Sequence, residues 1–222
     1  MILAYLMDGN LPAGAPISID GMARALDVSP TPVREALARL EATGLVSRVA
    51  LRGYRVAPRL TPEELAQLMD ARRVIEPANA ALATERATKK LTDALERAVA
   101  DMRRAPLGPT FAQFRTYWEA DERFHRLIAE HTGNRFLLAA YQALGGQVQR
   151  FRYFAGVGVT DAAAATSEHA AILEAISRRD PELAAARMET HIRNAKERAL
   201  ASLEAATTSV SDERFQRVAA RS

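Results

Sequence analysis

The stretch VSPTPVREALARLEATGLVSRVALRGYRVAP, residues 28–58, changes its hydrophobic period half-way along. Val33, Ala36, Leu37 and Leu40 recur at i, i+3, i+4 and i+7, the stripe of a helix with one buried face. Beyond Gly44 that period disappears. Leu45–Val49 and Tyr54–Ala57 are short β-prone runs joined by Ala50-Leu51-Arg52-Gly53, a hairpin with a glycine turn. Upstream, Ile2–Met7 and Ile19–Leu26 read as helices, the second with Ser18 as its N-cap. Only Asp27-Val28-Ser29 separates the second helix from the third, the short turn that a helix-turn-helix requires. Residues 1–58 are therefore expected to form a winged helix-turn-helix of three helices and a β-hairpin wing.

After residue 60 the strand signal does not return. Breaks at Gly108-Pro109, Gly133-Asn134, Gly156-Val157-Gly158 and Asp180-Pro181 divide the rest into six helices, over 62–87, 90–105, 110–131, 135–155, 161–178 and 181–206. The expected fold class is mainly α: a DNA-binding unit over 1–58, an all-α six-helix bundle over 59–206, and a polar tail over 207–222 that suits either disorder or a short terminal helix. Thr61-Pro62-Glu63-Glu64 supplies a cap and first-turn acids at the junction.

The chain of 222 residues contains no cysteine, which excludes disulfides, thiolate metal sites and cysteine nucleophiles. No apolar run approaches a membrane span and no signal-type segment is seen, so a cytoplasmic location without a membrane partner is expected. Residues 1–58 hold six arginines against five acids, so position rather than total charge must mark a nucleic-acid face. Arg34 and Glu35 stand at the exposed start of the third helix, the part of a recognition helix that reaches base edges. Ser29 and Thr31 at its N-terminus suit a phosphate. Arg52 lies at the hairpin tip beside Gly53, where backbone can approach DNA closely.

Polar residues on apolar stripes mark the second half. Phe111, Phe114, Trp118, Asp121, His125 and Ile128 share one helix face. His169 lies on a stripe with Ala165, Ile172 and Ile176, and His191 on one with Ala184, Met188 and Ala195. An acid and three histidines thus face the core from three helices. They suit an N₃O cage for a divalent ion such as Zn²⁺, Ni²⁺ or Mn²⁺. They equally suit a hydrogen-bonded core in which Asp121 pairs with a histidine. His131, beside Gly133, reads as a helix-end residue. Arg72 shares an inward stripe with Leu65, Leu68, Ile75, Asn79 and Leu82; it can pair with Glu76 or clamp a carboxylate. Arg150 and Arg152 are further candidates for that second task.

The 28–58 stretch resembles the signature of the GntR family of regulators, with its VS-x-TPVREAL helix, GLV strand and RG-x-x-V wing. Residues 62–200 resemble the FCD ligand-binding domain of the FadR-type branch. The matching pieces are MDARRVIEP at 69–77, DERFHRLI at 121–128, EHAAIL at 168–173 and METH at 188–191. Six helices are similar to the VanR-like subgroup. The resemblance implies a ligand-responsive transcription regulator, a repressor, whose operator contacts are Ser29, Thr31, Arg34, Glu35, Arg52 and Gly53. Pro30 departs from the arginine common there and removes one contact. Many members hold a metal with one Asp and three His, which here match Asp121, His125, His169 and His191. Family effectors are often small carboxylic acids, which places Arg72 and Arg152 at the effector. The implied partners are double-stranded DNA with a near-palindromic operator, a carboxylate and a second copy of the chain. A metalloenzyme is the rival class. It lacks an HExxH motif and a further acid on the same stripes, and it leaves the DNA-binding half unexplained. A third alternative is a metal that only stabilises the bundle.

Overall fold

The computed structural model describes residues 2–7, 10–42, 44–108, 111–154 and 161–219, with side chains described except at 7, 42, 111, 112, 146, 149–154 and 205–219. Helices α1 (Ile2–Met7), α2 (Ile19–Ala25) and α3 (Pro30–Ala42) surround a small sheet. Ser18 caps α2 by accepting from the Gly21 N–H at 3.0 Å. Val33 and Leu37 of α3 are wholly buried against Leu6, Met22, Ala23 and Val46, so the period-3.6 stripe does face the core.

The sheet has one strand more than the sequence reading placed there. Strands β2 (Val46–Val49) and β3 (Gly53–Val56) form the expected hairpin, in register Val46↔Val56 through Val49↔Gly53. A two-residue strand, β1 (Pro16–Ile17), pairs antiparallel with the other edge of β3, giving the order β1-β3-β2. Two residues are too few to show an alternating pattern, and only the tertiary pairing gives them an edge to join. Ile17 fills the core from that edge, and Arg55 Nη1 donates to the Gly14 carbonyl at 2.9 Å.

The second half is a bundle of α4 (Pro62–Glu85), α5 (Lys89–Arg104), α6 (Phe111–His131), α7 (Arg135–Phe154), α8 (Ala162–Ser177) and α9 (Pro181–Ala219). A capping box starts α4: Thr61 Oγ1 accepts from the Glu64 N–H at 3.1 Å, and Glu64 Oε2 accepts from the Thr61 N–H at 2.8 Å. Gly133, at φ 65°, takes the left-handed conformation that ends α6, and Asn134 Oδ1 accepts from the Phe136 N–H to begin α7. The expected break at 156–158 lies outside the described residues. Segment 207–219, for which the sequence left disorder and a short terminal helix open, continues α9 without interruption. After Pro181 no glycine or proline occurs before Ala219 to stop a helix.

The core of the bundle is assembled from Leu65 and Met69 of α4, Leu95 of α5, Tyr117 and Phe124 of α6, Ile172 and Ile176 of α8, and Met188 and Ile192 of α9. The two halves touch at α6 and α7. Leu3 and Ala4 of α1 pack on Phe114 and Trp118 of α6. Gly44, at φ 74°, sits so near α7 that a Cβ there would stand 2.5 Å from Nε2 of Gln147. No helix among the described residues is long and apolar enough to cross a membrane.

Candidate metal centre and nucleic-acid interface

His125 on α6, His169 on α8 and His191 on α9 converge, each offering a ring nitrogen within 4.8 Å of the other two. All three rings are buried, His169 wholly so. Asp121, one turn before His125, is buried too, and its Oδ1 lies 3.4 Å from His169 Nε2. The helices thus bring together the four residues that the stripes singled out.

The Nδ1 atoms of His169 and His191 are hydrogen-bonded, and that of His125 lies close against a carboxylate. His169 Nδ1 stands 2.6 Å from the Ala165 carbonyl oxygen, which can only accept. His191 Nδ1 stands 2.7 Å from Glu168 Oε2. His125 Nδ1 stands 2.6 Å from Glu76 Oε2. Each acceptor calls for the ring proton at Nδ1 and so leaves Nε2 as a lone pair directed inward. His125 Nε2 and His169 Nε2 face each other at 3.1 Å. Two lone pairs at that distance repel unless a cation, or a proton carried by one of the rings, lies between them.

Electrostatics favour neutral rings at His169 and His191. Burial, above all, pushes His169 well below its ordinary value, reinforced by the neighbouring His191; burial likewise lowers His191, partly offset by the Glu168 hydrogen bond. Burial alone would raise Glu76, but the charge and hydrogen bond of Arg72, with the contact to His125, hold it well below the usual carboxylate range. Glu168 is likewise held low against burial by hydrogen bonds from His191, Arg198 and Asn194. Arg198 grips it in a fork, Nη1 to Oε1 at 2.9 Å and Nη2 to Oε2 at 3.0 Å.

A pH dependence follows. Below the ordinary histidine value of 6.5, the unfolded chain binds protons that His169 and His191 refuse when folded. Their depressed values therefore contribute stability that is intact above that pH and lost as it falls. Glu76 and Glu168, also depressed, add a second loss below their ordinary value of 4.5. Melting temperature is expected to drop monotonically on acidification from neutrality; a maximum in the acid range would contradict it.

Beside the cluster lies a cavity of about 20 Å³, lined by Arg72, Glu76, Trp118, Asp121, His125 and Tyr141, with Leu144, Gly145 and Val148 of α7 as its outer wall. That volume holds about one water molecule. Arg72 is buried and its Nε pairs with Glu76 Oε1 at 2.5 Å, so the guanidinium both forms the ion pair and lines the cavity. Burial works against its charge, and Glu76 more than compensates, raising it. The side chains of Arg150 and Arg152 lie outside the described residues. Glu76, Glu168 and Arg198 were not assigned to the site from sequence. Glu76 carried a signal, being one turn from Arg72; Arg198 and Glu168 meet only through the packing of α8 on α9. His131 caps a joint instead, its Nε2 lying 2.9 Å from the Arg86 carbonyl oxygen at the end of α4.

In the first half, Ser29, Thr31, Arg34, Glu35, Arg52 and Gly53 are all exposed. The first four cluster at the start of α3 and the last two at the tip of the β2–β3 turn, where Gly53 adopts φ 77°. Leu51 beside them is fully exposed, an apolar wing-tip residue that the sequence reading did not single out.

Residues 1–56 match the family described as bacterial regulatory proteins, gntR family, and residues 64–194 match the FCD domain. The chain belongs to the GntR family, in the branch that carries an FCD domain. A protein of Paenarthrobacter nicotinovorans named "Probable D-xylose utilization operon transcriptional repressor" is 30% identical over 191 residues, covering 86% of this chain and 82% of the relative. Among solved structures, E. coli McbR/YncC superposes with a TM-score of 0.71 at 18% identity, covering 89% of this chain and 92% of that one. A GntR-type regulator from Rhodococcus sp. RHA1 superposes at 0.68 with 21% identity, covering 90% and 94%. This FCD-type chain is thus a transcription regulator, not an enzyme, with a DNA-binding winged helix-turn-helix and an effector-binding helical domain.

Proposed function

We propose that this regulator holds a divalent metal ion on His125, His169, His191 and Asp121 and senses a small carboxylate beside it. The observation that carries the reading is the facing pair of Nε2 atoms at 3.1 Å inside a buried ring of histidines. Three neutral nitrogens and one carboxylate suit Zn²⁺, Ni²⁺ or Mn²⁺. The ion would order the helices and present a coordination position towards the cavity, where Arg72 supplies a planar fork matched to a carboxylate. Ser29, Thr31, Arg34, Glu35, Arg52 and Gly53 would contact the operator, as a homodimer reading the two halves of a near-palindrome. The named function of the Paenarthrobacter relative supports repression.

Signal transfer has a physical route. Trp118 lines the cavity on one side and packs on Leu3 and Ala4 of α1 on the other, while α7 forms the outer wall and meets Gly44 through Gln147. The cavity is too small for a carboxylate metabolite, so binding would displace α7, α6 or both and with them the DNA-binding half.

A second reading, in which the metal is purely structural, draws support from the same small volume. A thermal-shift series of small carboxylates, with and without chelator, separates the two. The sensing reading expects at least one carboxylate to raise the melting temperature only in the metal-loaded protein. Stabilisation by metal alone, with no carboxylate adding to it, leaves the structural reading.

A further inference from the structure

Glu76 is not one of the proposed ligands, yet it connects two parts of the site. It is almost wholly buried on α4. Its Oε1 takes the Arg72 Nε–H at 2.5 Å, and its Oε2 stands 2.6 Å from His125 Nδ1. That approach is close but is not aligned as a hydrogen bond, and neither Oε2 nor His125 Nδ1 has a hydrogen-bond partner among the described residues. Two buried acceptors at that separation repel, so a proton lies on Nδ1 and the lone pair of His125 is at Nε2, facing His169.

We propose that Glu76 is the positioning residue that sets the tautomer of His125, and that Arg72 makes it so by occupying the other carboxylate oxygen. The inference rests on the metal reading for its consequence, since only the Nδ1–H tautomer presents a free Nε2 to an ion. The chemistry can be seen in the isosteric change Glu76→Gln. An amide has one carbonyl oxygen and one NH₂, whereas the carboxylate has two acceptors. Arg72 always donates, so the carbonyl turns towards Arg72 and the NH₂ towards His125. His125 Nδ1 must then accept, its proton moves to Nε2, and the ligand lone pair is lost from the cluster. Because Arg72 also lines the cavity, an anion bound there and an ion on the histidines share this one carboxylate.

The test uses the full chain. Histidine ¹⁵N NMR on metal-free protein is recorded above about pH 8, beyond the ordinary histidine range, and Zn²⁺ affinity is measured by competition with a chromophoric chelator. His125 of the wild type is expected as the Nδ1–H tautomer, and that of Glu76→Gln as Nε2–H. Zn²⁺ affinity falls about 10–100-fold in that variant, the range for loss of a group orienting a ligand. Combining Arg72→Met with Glu76→Gln removes the competing donor, lets the amide carbonyl face His125, and restores both the tautomer and most of the affinity. An Nε2–H tautomer in the wild type overturns the proposal even if the variants fail to fold. So does Glu76→Gln with an unchanged tautomer, or a double variant with no recovery, which would make the role merely structural. A wild type with the expected tautomer that binds no Zn²⁺ sinks the metal reading and leaves the positioning role standing.

Discussion

His169→Ala is expected to abolish divalent-metal binding and to leave a melting temperature that no longer responds to added metal or chelator. His169 is the fully buried member of the cluster, it faces His125 at 3.1 Å, and its Nε2 lies 3.4 Å from Asp121 Oδ1. An ion present at about a thousandfold over its dissociation constant stabilises the folded state by about 4 kcal/mol. For a chain of this size that corresponds to roughly 8–16 °C in melting temperature. The substitution also removes a ring packed edge-on against Phe124 at 4.8 Å, so the metal-free variant loses some stability from packing. The deciding quantity is therefore the response to metal, compared between wild type and variant. A purified wild type without metal, whose melting temperature ignores both metal and chelator, would sink the centre.

The second large expected effect is at the proposed DNA face. Arg34→Ala is expected to weaken operator binding by about 10–100-fold, equivalent to about 1–3 kcal/mol for a lost two-pronged contact to guanine. Arg34 is exposed near the start of α3, while its neighbour Val33 is wholly buried, so the helix is held rigidly with Arg34 outward. Loss of a base contact relaxes specificity at one operator position. Loss of a phosphate contact instead weakens all sequences alike and lowers the salt slope by about 1. Arg34→Lys distinguishes them further, because an ammonium cannot reproduce the planar fork. Unchanged affinity together with an unchanged salt slope would refute the assignment of α3 as the recognition helix.

The residues of both candidate sites stood out in the sequence for the same reason. A helix repeats every 3.6 residues, so Val33, Ala36, Leu37 and Leu40 declare which face is buried, and Arg34 is outward by elimination. The same period places Asp121 and His125 among aromatics and aliphatics, where a polar group needs a partner. What escaped the reading was non-periodic or non-local. β1 is two residues long. Whether helix continues past 206 stayed open because the composition there is polar, although no glycine or proline breaks it. Glu168, one residue before His169, reads as an ordinary surface acid until α9 brings His191 and Arg198 against it.

The sequence by itself determined the two-part architecture, the identity of the outward arginines and the set of inward polar residues, because local periodicity is a property of consecutive residues. The tertiary structure alone decided how those residues meet. It brought a ring nitrogen of each of the three histidines within 4.8 Å of the other two, set an oxygen close to each Nδ1, placed Glu76 between Arg72 and His125, and laid Trp118 between the cavity and α1. Those relations join α1, α4, α6, α8 and α9 across long separations in the chain. They arise from packing, which no single helix encodes.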